Sequence, residues 1–178
     1  IIISPGAVAV KVVNEDDVRQ AFDKILWVSV GQEPNVRELL ASLLEQINEQ
    51  TLQPDLSDKK ALAEVQKAAK GSKCLLALDD VWDAKYEKAL NVIDPDTPSK
   101  VMVTTRIRGL IKGGAEVAIG TLSQVDALRL LAATAGVDEY VPPEEGEEEE
   151  DDQYRLACEV VDLCGYLALT VSIAGGMI

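Results

Sequence analysis

The sequence predicts an α/β fold: a parallel sheet flanked by helices, followed by a small, incomplete all-helical module. Three observations carry this. Short apolar runs of β-forming residues alternate with segments of helical period up to about residue 120. One of those runs, Lys73–Leu78 (KCLLAL), is apolar without alternation, as a strand buried on both faces of a parallel sheet must be. From Leu122 onward the pattern is helical only. Strands separated by helices imply right-handed crossovers, and therefore parallel pairing.

In chain order, Lys24–Val30 (KILWVSV) reads as the first clear strand. Pro34-Asn35 opens a helix, with Asn35 as cap and Glu38 at the capping-box spacing. Val36, Leu39, Leu40, Leu43, Leu44 and Ile47 then fall on one helical face. Ser57 starts a second helix, which stops near Gly71. The strand Lys73–Leu78 follows, then a short helix at Ala84–Leu90 and a strand at Val101–Thr104. Val117–Ile119 is expected to be a fourth strand. In the helical part, Ser123 and Asp126 mark the start of a helix ending near Gly136. Gln153–Cys164 and Leu167–Ala174 are two more, separated by Gly165. The expected division is residues 1–121 for the α/β domain and 122–178 for the helical one. The chain does not begin with Met and ends on Gly-Gly-Met-Ile in an apolar stretch, so it reads as a piece of a longer product.

Composition excludes several function classes. The net charge of −14 argues against nucleic acid as a partner, because phosphate backbones are met by clustered cations. Eight of the acids lie within residues 144–152, and setting them aside leaves −6. The charge is therefore local, and the run is expected to be a solvated or disordered loop rather than a contact surface for something basic. With no histidine, His-based triads and His–metal centres are excluded. Three cysteines at irregular spacing make neither a zinc site nor a disulfide framework, and Cys74, inside an apolar run, reads as core. No apolar run approaches the roughly 20 residues that span a bilayer. A cytoplasmic, reducing setting without membrane contact is expected.

Two segments carry chemistry. In KCLLALDDVWD (Lys73–Asp83) an apolar strand runs into two adjacent carboxylates, Asp79 and Asp80. Ligands of open α/β sheets bind outside the carboxyl ends of strands, and paired acids there suit a hard cation such as Mg²⁺ and activation of a water. The plainer alternative is that these acids cap the next helix. In SKVMVTTRIRGL (Ser99–Leu110) another strand ends in Thr104, Thr105 and Arg106. An Arg there can sense a terminal phosphate, or simply pair with Asp79 or Asp80.

Taken in order, FDKILWVSV (Phe22–Val30), KCLLALDDVW (Lys73–Trp82), SKVMVTTR (Ser99–Arg106), LSQVDALRLL (Leu122–Leu131) and CGYLALTVSIAGG (Cys164–Gly176) closely resemble the successive motifs of the NB-ARC domain. That family comprises STAND-class P-loop NTPase switches of plant disease-resistance receptors and apoptotic scaffolds. The resemblance runs from about Asp17 to the last residue. It implies a P-loop-NTPase-like sheet with an ARC-type helical module. ADP or ATP with Mg²⁺ would be the ligand: ADP holds such proteins closed, ATP opens them, and hydrolysis resets them. By the same resemblance Asp79 organises the metal and Asp80 positions the attacking water. Arg106 senses the terminal phosphate, with Thr104 and Thr105 beside it. Leu167 and Ala168 lie in the segment that packs near the adenine. Implied partners are other domains of the same polypeptide and further copies of it.

Two departures stand out. The family has a proline where this chain has Ala168, and Ala lacks proline's fixed φ. More seriously, the family's P-loop, G-x-x-x-x-G-K-[ST], cradles phosphate with backbone amides and a lysine. Residues 1–20 (IIISPGAVAVKVVNEDDVRQ) hold one glycine, Gly6, and one lysine, Lys11, without glycine neighbours. Ile1–Ile3 can still be a strand, with Ser4 as N-cap and Pro5 at the first helical position, which keeps the topology and deletes the loop. Alternatively the segment is unrelated sequence. Three readings of function stay open: a switch whose P-loop lies outside this fragment, a degenerate non-hydrolysing interaction module, and a non-functional gene fragment.

Overall fold

The computed structural model describes residues 4–137 and 152–178. The chain divides into two compact units, Pro5–Glu116 and a second that holds Val117–Ile178. The first contains α1 (Pro5–Asn14), α2 (Asp16–Ala21), β1 (Lys24–Gly31), α3 (Val36–Asn48), α4 (Asp58–Ala69), β2 (Cys74–Val81), α5 (Ala84–Leu90) and β3 (Lys100–Val103). The second contains α6 (Gln124–Thr134), α7 (Asp152–Leu163) and α8 (Ala168–Gly175). The acidic run 144–152 lies outside the described residues, except that Asp152 opens α7.

The sheet is parallel with the order β1-β2-β3, so β2 is central. Alternation along β2 assigns its two faces. Cys74, Leu76 and Leu78 join a core with Leu26, Val28 and Val30 of β1, Leu40, Leu43, Leu44 and Ile47 of α3, and Ala61 and Val65 of α4. Leu75 and Ala77 are equally buried but stand outside that cluster, on the opposite face. There α1 packs on β2, burying Ala9. Each fully buried leucine in this core contributes about 1.5–3 kcal/mol over an exposed one, which is why the helix-period residues of α3 fix that helix on the sheet.

The expected caps form. Asn35 accepts from the Glu38 N–H at 3.3 Å, and its own amide donates to the Glu38 carboxylate at 2.7 Å. Ser123 repeats the pattern, accepting from the Asp126 N–H at 3.1 Å and donating to the Asp126 carboxylate at 2.7 Å. In both boxes the acid takes a bond from the capping side chain. Among the described residues β1 is an edge strand, and the Gln46 side chain satisfies Trp27 on that edge: it accepts from the Trp27 N–H at 2.8 Å and donates to its carbonyl at 2.9 Å. Arg37 donates to the carbonyls of Gln53, Pro54 and Leu56, fixing the connection into α4.

Two expectations need correction. Val117–Ile119 is not a strand. The run is three residues long, pairs with nothing in the sheet, and leaves Val117 81% exposed. β-forming residues alone do not make a strand without a partner to take their backbone groups. The central strand also does not end at Leu78 but continues through both aspartates to Val81.

In the helical unit, α6 packs against α7 and α8 around Ala127, Leu128, Leu131, Val161 and Val171. Gly175 lies so close to Thr134 and the Leu131 carbonyl that a Cβ has no room. Glycine is thus what lets the last turn of α8 approach α6.

A candidate site at the strand ends

Thr104, one residue past β3, organises the carboxyl end of β2. Its N–H donates to the Leu78 carbonyl at 3.0 Å, and its carbonyl accepts from the Val81 N–H at 2.9 Å. One residue therefore stands opposite two, Asp79 and Asp80, which defines a β-bulge. Asp80 takes the left-handed conformation there, with φ 55°. Asp tolerates that region better than most residues, yet it remains a strained state held by its surroundings. The pairing with β1 runs on unbroken, Ser29 opposite Asp79 and Gly31 opposite Val81. The bulge is thus confined to the β3 side, where it re-aims the second carboxylate.

Side chains converge at the bulge. The Thr104 hydroxyl donates to Asp79 Oδ1 at 2.6 Å and accepts from the Asp80 N–H at 2.9 Å. Arg106 Nε lies 3.7 Å from Asp80 Oδ1. The pair is open to water, with the Arg106 side chain 73% and the Asp80 side chain 39% exposed, so it adds at most about 1 kcal/mol to stability. The Arg106 guanidinium also sits 5.6 Å from the Trp82 ring centroid, within cation–π range. The Trp82 indole nitrogen is buried and without a hydrogen-bond partner among the described residues. Thr105 accepts from the Ile107 N–H at 3.1 Å and shapes the turn that carries Arg106.

Neither aspartate is the cap of the next helix. Asp83 fills that role, accepting from the Lys85 N–H at 2.9 Å, with the Lys85 ammonium 3.0 Å away. The backbone N–H of Lys85 first, and then its side chain, hold the Asp83 carboxyl below the usual carboxylate range. Asp83 stands immediately before α5, a capping signal legible in the sequence.

The remaining candidates sit in the helical unit. Leu167 is the N-cap of α8 and Ala168 its first helical residue. That is the position where a proline fits a helix best, and Leu167 already has the extended backbone (φ −76°, ψ 120°) that precedes a proline. The helix entry is therefore of the kind a proline makes, formed without one.

Two carboxylates and a threonine hydroxyl at a strand end fit a hard cation that keeps most of its waters. The described residues do not fit a triphosphate in the same way. Where a phosphate cradle needs consecutive amides and a lysine, the chain enters α1 directly through Pro5 and Gly6, and Lys11 lies in that helix's last turn. Among the described residues no group of three or more Cys, Asp or Glu side chains forms a metal cage, and no helix is long and apolar enough to cross a membrane.

The family model described as the NB-ARC domain matches residues 6–139. The Arabidopsis thaliana protein named probable disease resistance protein RXW24L is 24% identical over 180 residues, covering 94% of this chain and 19% of its own length. Probable disease resistance protein RF45, also from Arabidopsis thaliana, is 26% identical over 183 residues, covering 96% and 17%. Disease resistance RPP13-like protein 4 of the same plant is 26% identical over 108 residues, covering 59% and 12%. The chain thus spans about a fifth or less of the length of these relatives. It belongs to the NB-ARC domain family of nucleotide-binding signalling domains.

Proposed function

We propose that this chain is the core of an ADP/ATP-gated switch within a larger cytoplasmic signalling protein, with nucleotide affinity and hydrolysis reduced by the missing phosphate cradle. The observation that carries the reading is the convergence of Asp79, Asp80, Thr104 and Arg106 at the carboxyl end of the central strand. On this reading Asp79, with Thr104, is the acid that would hold Mg²⁺, which supplies charge neutralisation to phosphate oxygens. Asp80 would position water, and Arg106 would meet phosphate charge, with Thr105 shaping its turn. Leu167 and Ala168, on the domain proposed to begin at residue 122, would contribute the adenine contact. The chain's partners would be nucleotide, the other domains of its polypeptide and further copies of itself.

The proposed weakness is electrostatic. Without cradle amides and lysine, two carboxylates and one arginine face the phosphates. Each lost charge-assisted hydrogen bond removes about 1.5–3 kcal/mol, and several together remove orders of magnitude in affinity. Calorimetric titration with ADP and with Mg-ATP tests this. The expected dissociation constants are weaker than about 1 μM, with no measurable hydrolysis. A constant at or below that value, about 8 kcal/mol of binding, contradicts the proposed impairment. The non-hydrolysing interaction module, favoured by the same absent cradle, instead requires no saturable binding even at millimolar nucleotide.

A further inference from the structure

Trp82 follows directly on the central strand, between two residues whose places are fixed. Val81 before it is buried in the core, and Asp83 after it caps α5. Trp82 is itself half-buried, with its indole nitrogen enclosed. The ring is therefore set in the body of the α/β unit.

Arg106 is its opposite. It lies in the turn after β3, and its side chain is largely exposed. A long solvated side chain gives up much rotamer freedom when ordered, so it stays in one place only where something holds it. Among the described residues two groups hold its head: Asp80 Oδ1, 3.7 Å from Nε, and the Trp82 ring, whose centroid is 5.6 Å from the guanidinium. The carboxylate contact is loose. An arginine paired with a carboxylate commonly forks onto it at about 2.7–2.9 Å, whereas here the guanidinium makes no hydrogen bond to either aspartate among the described residues. What competes with that fork is the ring, since a cation is drawn to an aromatic face and tryptophan offers the strongest one.

We infer that Trp82 is a positioning residue: its ring holds the Arg106 guanidinium out of a forked pair with Asp80. The outer N–H groups of the arginine are then left for phosphate oxygens, and the Asp80 carboxylate for water. The inference rests on the strand-end reading proposed above, in which Arg106 meets phosphate charge. Without the ring, the guanidinium settles onto Asp80 and each occupies the other. An exposed cation–π pair is weak, so the expected cost is about two- to fivefold in nucleotide affinity.

The test uses the full chain and millimolar Mg-ADP, followed by amide shifts, with the Arg106 Nε–Hε resonance reporting on the side chain. In the free wild-type chain that resonance should lie upfield of an ordinary arginine, shielded by the ring. Trp82→Leu should return it to the ordinary position and weaken Mg-ADP about two- to fivefold, while Trp82→Phe, which keeps a ring, should retain most of both. Arg106→Ala should weaken binding at least as much, and adding Trp82→Leu to it should cost nothing further, because the ring acts only through the arginine. An unshielded Arg106 in the wild-type chain overturns the inference without any variant, which covers the case of a leucine variant that does not fold. So does a phenylalanine variant as weak as leucine, or an equal loss from Trp82→Leu with and without Arg106. If Arg106→Ala weakens binding and Trp82→Leu does not, the positioning role alone falls. If Arg106→Ala binds like the wild type, or the wild type shows no saturable binding, the strand-end reading falls and the inference with it.

Discussion

Replacing Thr104 by valine tests how the aspartate pair is held. Valine is nearly isosteric and favours strands at least as well as threonine, so shape and backbone preference are kept while the hydroxyl is lost. That hydroxyl makes two bonds, to Asp79 Oδ1 at 2.6 Å and from the Asp80 N–H at 2.9 Å. The first is charge-assisted and contributes about 1.5–3 kcal/mol, and the second leaves a partly buried donor without its acceptor, costing about 1–3 kcal/mol. Both act through one oxygen on neighbouring residues, so they do not add in full. The expected loss is about 2–4 kcal/mol, lowered toward the bottom of that range by the partial exposure of both aspartates. The backbone bonds of Thr104 to Leu78 and Val81 are untouched, so the loss belongs to the side chain. Urea unfolding, followed by tryptophan fluorescence from Trp27 and Trp82, measures it as a lower midpoint at unchanged slope. Thr104→Ser should recover most of the loss. A valine variant within about 0.5 kcal/mol of wild type, or a serine variant as damaged as valine, refutes the view that this hydroxyl secures the bulge.

Three further outcomes follow from the same geometry. Ala168→Pro should raise stability by about 0.5 kcal/mol in thermal unfolding, because it fits the first position of α8 and restricts the unfolded chain; a clear loss would show that the helix entry differs from a proline-type start. Asp94 accepts from the N–H groups of Gly71 and Asp96, which hold its carboxyl below the usual range. Its contribution is present above the ordinary carboxylate pKa of about 3.9 and is lost as pH falls through the depressed folded value, so Asp94→Ala should flatten the acid limb of a stability–pH curve, and an unchanged limb contradicts the assignment. Cys74 is fully buried, and burial pushes its thiol pKa up, so native-state alkylation should label Cys158 and Cys164 first and Cys74 only on unfolding.

The local part of this fold was legible in the sequence, and the non-local part was not. Asn35 and Ser123 signalled helix starts because a cap acts over three residues, and Leu40, Leu43, Leu44 and Ile47 signalled a buried face because helical period is local. The burial of β2 on both faces followed from its unbroken apolar run. The strand's extension through Asp79–Val81 could not be read, because it rests on pairing with β1, Ser29 opposite Asp79 and Gly31 opposite Val81, and the bulge within it on Thr104, 25 residues from Asp79. Greater distance still hid the close approach of Gly6 in α1 to Asp79, a sheet residue more than seventy positions later. Val117–Ile119 failed for the opposite reason: composition favoured a strand where no partner strand was at hand.

The central claim is that any nucleotide this chain binds is met at the bulge between β2 and β3. Backbone amide shifts on titration with millimolar Mg-ADP measure that directly. Perturbations centred on Asp79–Trp82 and Thr104–Arg106, and abolished by Asp79→Asn with Asp80→Asn, are the predicted result. Shifts centred elsewhere, for instance on the recess of about 370 Å³ lined by Asn14, Arg19, Phe22 and Asp23, would contradict it.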